Sequence, residues 1–274
     1  MKTRRSFSLL PLLLLAIAII LFSCEKEASA DIDPKLQISD LNHSASSEKT
    51  NEFYGPTQPF GKGIVRSAVT LNSDGEPVSV AVLFSEKALL HTPHHHEELS
   101  LELHKKADGI IIDHIDFGWN PEGHEPFFYE VPHFDFHFYW ISMEEKFQIL
   151  PGMPAGEIFP ASQFWPEDYV PTPGYVPFMG KHWIDPNSNE FGPNGFNRTF
   201  IFGSFDGDFI FHEPMITKEY FLAGNSSESI PIPQPSAYEQ SGYYPTSYSI
   251  SFDPVKKLYR VSLDNMQWFP GVED

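Results

Sequence analysis

The stretch Val131-Pro132-His133-Phe134-Asp135-Phe136-His137-Phe138-Tyr139-Trp140 leaves its backbone little choice. Aromatic and ionisable side chains alternate along it. At the two-residue period of an extended strand, His133, Asp135, His137 and Tyr139 share one face, while Phe134, Phe136, Phe138 and Trp140 share the other. Four large rings on one side demand burial, so that face is the predicted core. A helix would instead set His133 beside His137, one turn away.

Strand geometry also limits the chemistry. Same-face neighbours lie ~6.6 Å apart at Cα, and His133 and His137, four residues apart, lie ~13 Å apart. The two imidazoles therefore cannot hold one ion from a regular strand. A metal would use His133 with Asp135, or Asp135 with His137, completed from other strands. The candidates are His182 in Gly180-Lys181-His182-Trp183, His212-Glu213, and His124-Glu125 just before the strand. His114 and Asp116 form a further same-face pair. The predicted metal ligands are thus His133 or His137, with Asp135, His182 and Glu213, around a single ion. Imidazoles with carboxylates suit Zn²⁺ or Fe²⁺. The simplest reading of the ionisable face is nevertheless a solvated or polar-lined surface on which Asp135 balances two histidines. A metal-free His–Asp acid–base pair is the third option. The run His94-His95-His96 sits in a turn-like stretch where consecutive rings diverge, so adventitious binding is its expected property.

The rest of the body is also read as strands. Ile64 to Leu71 and Pro77 to Phe84 flank Asn72-Ser73-Asp74-Gly75-Glu76, and Phe200 to Phe205 and Phe209 to His212 flank Asp206-Gly207-Asp208. Tyr248 to Phe252 and Leu258 to Leu263 flank Asp253 to Lys257, giving a third hairpin. Leu99 to His104 and Gly109 to Phe117 are further strands. Helix is confined to Ser142 to Leu150, where Ser142 caps, and Met215 to Leu222. Pro151 to Met179 carries seven prolines interleaved with Phe159, Phe164, Trp165, Tyr169 and Tyr175, which predicts an ordered irregular loop packed through its rings. The expected fold is mainly β with few short helices. It would consist of antiparallel sheets or a barrel-like domain with long Pro- and aromatic-rich loops.

The chain of 274 residues begins as an export signal: Lys2, Arg4 and Arg5 precede an apolar run from Leu9 to Phe22, too short to span a bilayer permanently. Leu21-Phe22-Ser23-Cys24 resembles a bacterial lipobox, which implies cleavage after residue 23 and lipidation of Cys24, the only cysteine. Residues 24–61 are predicted to be a flexible tether, and 62–274 a single β-rich body with an optional subdomain break near 180–198. These features place the protein as an outer-membrane lipoprotein, periplasmic or surface-exposed, that meets the membrane through its N-terminal lipid. The net charge of −19 argues against nucleic acid as a partner. Dinucleotide, phosphate-loop, zincin and serine-hydrolase motifs are absent.

The strings VPHFDFHFY, MGKHWID and FIFGSFDGDFIFHEPMIT, together spanning roughly residues 63–222, resemble a family of exported bacterial proteins of unassigned function, typified by a sigma-E-controlled protein of Thermus. The resemblance implies a β-rich domain able to form homo-oligomers, and it assigns no catalytic residue. Three functions are consistent with these observations. One is a cell-envelope lipoprotein with a binding or structural role on an aromatic-rich β surface. Another is a mononuclear metal-dependent enzyme. A small-molecule carrier, its cavity lined by the polar face of the strand and closed by Pro151 to Met179, is a third.

Overall fold

The structure, a computed structural model, describes residues 49–107, 109–224 and 228–272. The export signal, Cys24 and most of the predicted tether lie outside the described residues. In chain order the strands are β1 (Asn51–Tyr54), β2 (Gln58–Phe60), β3 (Gly63–Leu71), β4 (Pro77–Ser85), β5 (Glu97–Glu102), β6 (His114–Asn120) and β7 (His133–Tyr139). They continue with β8 (Val170–Pro171), β9 (Lys181–Ile184), β10 (Arg198–Phe205), β11 (Asp208–Thr217), β12 (Glu228–Pro231), β13 (Gly242–Asp253) and β14 (Leu258–Phe269). Three short helices, α1 (Glu86–Leu90), α2 (Met143–Lys146) and α3 (Lys218–Leu222), punctuate them.

Two antiparallel sheets result, neither closed into a barrel. The first runs β1-β3-β4-β14-β13-β12 with β2 also on β3, and the second runs β5-β6-β7-β11-β10-β9-β8. The three predicted hairpins are present, and their turns show why. Asp206 and Gly207 both adopt positive φ (53° and 95°), the conformation a two-residue turn needs to match strand twist. Asn72 Oδ1 accepts the backbone N–H groups of Asp74 and Glu76, and Asp253 Oδ1 accepts those of Val255 and Lys256.

The sheets pack face to face. Phe134, Phe136 and Phe138 are fully buried between them with Phe60, Phe84 and Phe117, as the alternation requires. The opposite face of β7 departs from the simplest expectation, because His133, Asp135, His137 and Tyr139 are buried as well. A second apolar cluster forms over that face, including Tyr129, Tyr139, Ile149, Ile201, Phe211 and Met215, with Phe128, Tyr175 and Phe196 packed on it. The solvated face is thus corrected to a lid of irregular chain from between the strands. The lid is pinned by polar bonds: Tyr175 donates to the Leu150 carbonyl and accepts from the Met153 N–H, both at 2.6 Å. The buried Lys146 ammonium, held by α2, pairs with Asp116 on β6.

Several boundaries also move. Among the described residues, strand structure is already present at Asn51, ahead of the predicted boundary at residue 62, because β1 pairs with β3 and Phe60 is buried against Phe117 and Phe134. Scattered apolar residues that define no face alone become an edge strand once β3 supplies the hydrogen bonds. β6 starts at His114 and ends at Asn120, and the segment Met215 to Thr217 belongs to β11, with Thr217 capping α3. No subdomain break falls near 180–198, since Lys181–Ile184 pairs within the second sheet and residues 47–274 form one compact unit.

Candidate metal centre

The outer face of the second sheet assembles the ionisable residues by register. On β11, Met215 lies opposite Asp135 and Phe211 opposite Tyr139, so Glu213, between them, projects beside His137. On β10, Gly203 pairs with His182 of β9, which brings that imidazole over the same face. The predicted ligands separate into two groups. Atoms of His137, His182 and Glu213 all lie within 4.8 Å of one another, and so do atoms of His124, His133 and Asp135. The single predicted centre is therefore corrected to two three-residue sets: Asp135 groups with His133 and His124, while His182 and Glu213 group with His137.

In the first set, His137 Nε2 lies 3.3 Å from Glu213 Oε1, and His182 Nε2 lies 3.6 Å from Glu213 Oε2. Neither ring nitrogen of His137 has a hydrogen-bond partner, nor does Glu213 Oε2, although all three atoms are buried. Orphaned buried polar atoms cost free energy, and here they gather around the contact of His137 with Glu213. Tetrahedral ligation at bond lengths of 2.0–2.2 Å sets neighbouring ligand atoms ~3.4 Å apart, close to the observed spacings. Burial, reinforced by the Asp135 and Glu98 charges, holds the Glu213 carboxyl well above its usual range. Burial also depresses His137, and it lowers His182 to about 3 with help from His137.

In the second set, His133 Nε2 lies 3.2 Å from Asp135 Oδ1 and His124 Nε2 lies 3.8 Å from Asp135 Oδ2. Burial opposes charge on Asp135, yet His133, His137 and His124 bring its pKa down to about 2. Asn120 Nδ2 donates to Asp135 Oδ2 at 2.6 Å.

The remaining predicted candidates go elsewhere. His114 bonds Asp113, while Asp116 accepts from Ser100 and pairs with Lys146. His212 turns to the inter-sheet side, against Trp140 and Phe202. There it helps line a cavity of about 420 Å³ with Trp140, Phe202, Phe209, Tyr238 and Tyr244. That cavity is not the one expected of a carrier, since its wall is the aromatic side of the sheet and the 233–245 segment. Sequence reasoning missed Asn120, whose role rests on the β6–β7 register placing it opposite His133.

Gly203 is required here. A Cβ at this position would fall 1.9 Å from Phe211 Cε1, in the ring that packs on both His137 and His182. We predict that Gly203→Ala displaces Phe211 and costs ~1–3 kcal/mol, as overpacking does. Urea denaturation measures this, and an unchanged midpoint would remove Phe211 as the brace of these imidazoles.

Comparison with known proteins adds no relative: no family model matches the chain, and no curated protein or solved structure gives a significant match.

Proposed function

We propose that this protein binds a divalent transition metal at the cell envelope, through His137, His182 and Glu213 of the second sheet. The observation that carries the reading is the convergence of imidazole and carboxylate atoms from three strands, those of His137 and Glu213 including buried atoms without partners. Two imidazoles and one carboxylate suit Zn²⁺ or Fe²⁺ and leave coordination positions for water or substrate. A passive binding or structural role leaves the buried, unpartnered atoms of His137 and Glu213 unexplained. Placement at the envelope rests on the N-terminal signal and Cys24, which read as an outer-membrane lipid anchor facing the periplasm or the exterior. Among the described residues no helix is long and apolar enough to cross a membrane.

Elemental analysis of the full chain, purified without a histidine tag and equilibrated with Zn²⁺, tests the assignment. Glu213→Gln is the informative variant. Burial raises the Glu213 pKa and disfavours its charged form, and glutamine copies its shape without supplying an anionic ligand. The expected result is the loss of one equivalent of zinc in Glu213→Gln and in His182→Ala, with the fold intact. Retention of the full complement in both variants would refute the centre.

A further inference from the structure

The geometry points to a second, solvent-facing metal site formed by His124, His133 and Asp135, able to exchange its ion independently of the enclosed centre. The argument begins with the tautomers. His133 Nδ1 lies 2.7 Å from the Val131 carbonyl and His124 Nδ1 lies 2.8 Å from the Glu125 carbonyl. A carbonyl only accepts, so each Nδ1 carries a proton and donates it, and each ring is held with its Nε2 toward Asp135. This is the backbone anchoring that fixes metal-binding imidazoles.

His133 Nε2 and Asp135 Oδ1 then stand 3.2 Å apart with no hydrogen bond satisfying the buried carboxylate oxygen. An imidazole nitrogen and a carboxylate oxygen at that distance hold a cation between them, a proton or the metal that displaces it. The 3.2 Å spacing from His133 Nε2 to Asp135 Oδ1 is close to the ~3.4 Å edge of tetrahedral Zn²⁺ ligation, and His124 Nε2 stands 3.8 Å from the other carboxylate oxygen. Asn120 supplies the outer support: its amide N–H groups face Asp135 Oδ2 at 2.6 Å and His133 Nε2 at 3.5 Å, while its Oδ1 lies 2.9 Å from His96 Nδ1. The carboxylate is thereby oriented with one oxygen left open.

Access distinguishes the two sites. The Glu213 side chain is 3% exposed and that of His137 2%, whereas His124 is 41% exposed, on the chain leading into β7. The second site therefore has a ligand that solvent reaches directly. An ion there keeps positions open to water, as catalytic and exchangeable sites do.

Titration of the full-length, untagged chain with ZnCl₂ by calorimetry, with metal content checked by mass spectrometry, tests the proposal. Wild type is expected to bind two equivalents. His124→Ala, which alters only a half-exposed side chain, and Asp135→Asn should each retain one, as should Glu213→Gln; the double variant Asp135→Asn/Glu213→Gln should retain none. Asn120→Ala should weaken the second ion by roughly 10–100-fold, the usual loss for an outer-sphere partner. A wild type that binds one equivalent, lost only in Glu213→Gln, overturns the second site and leaves the enclosed centre standing. A second equivalent that survives Asp135→Asn but disappears in His94→Asn/His95→Asn is surface binding and also overturns it. Loss of the Asp135-dependent equivalent alone, with none lost in Glu213→Gln, would uphold this site and refute the enclosed one.

Discussion

Saturating Zn²⁺ should raise the melting temperature of the metal-free protein by about 5–10 °C through the His137–His182–Glu213 centre alone. An ion present at ~100 times its dissociation constant, bound by the folded state only, contributes ~2.7 kcal/mol. Domains of this size shift by roughly 2–4 °C per kcal/mol. The three ligand residues come from β7, β9 and β11, so unfolding disperses them and the ion binds the native state selectively. Glu213→Gln should melt close to the metal-free wild type and lose this part of the response, because glutamine keeps the shape of a side chain whose charge burial disfavours. Differential scanning calorimetry with and without a chelator measures both. If the wild type melts at one temperature at every zinc concentration, the orphaned atoms on the outer face need another explanation.

Truncation of Phe136 to alanine should cost ~3–5 kcal/mol, the range for deleting a ring from a packed core. Phe136 is fully buried on a central strand, with ring centroids of Phe117, Phe84, Phe134 and Phe221 at 5.6, 6.3, 6.3 and 6.4 Å. Those rings come from both sheets and α3, so relaxation of one element cannot close the cavity. Urea denaturation should show a lower midpoint at an unchanged slope. Metal content below the transition should be retained, since the ligands project from the other face of β7. A loss under ~1 kcal/mol would mean that the two sheets do not meet at this residue.

The two predictions interrogate opposite faces of one strand, and how much of each face could be read beforehand differs for a physical reason. Alternation is a local property: from His133 to Trp140 it assigned every side chain to a side, and the aromatic side had to be core because nothing else hides four rings from water. Asp-Gly turns located their hairpins equally locally, because few residues tolerate positive φ. The separation of His133 from His137 was legible too, being set by strand rise. Whether the ionisable side met solvent or protein was not, since the covering chain has no periodicity and its contacts are long-range. The signal lay in Pro151 to Met179, whose aromatic content demanded a surface to pack on without naming it.

The amino-acid order alone determined which groups share a face of each strand and where hairpins turn, because backbone geometry at nearest-neighbour range dictates both. Only the tertiary structure decided that Glu213 and His182 join His137, while His124 and Asn120 join His133 and Asp135. Those pairings depend on the register of β6, β7, β11, β10 and β9, which hydrogen bonds between distant segments establish. They depend equally on the irregular lid, which removes water from around the imidazoles and carboxylates and leaves their lone pairs without partners of their own.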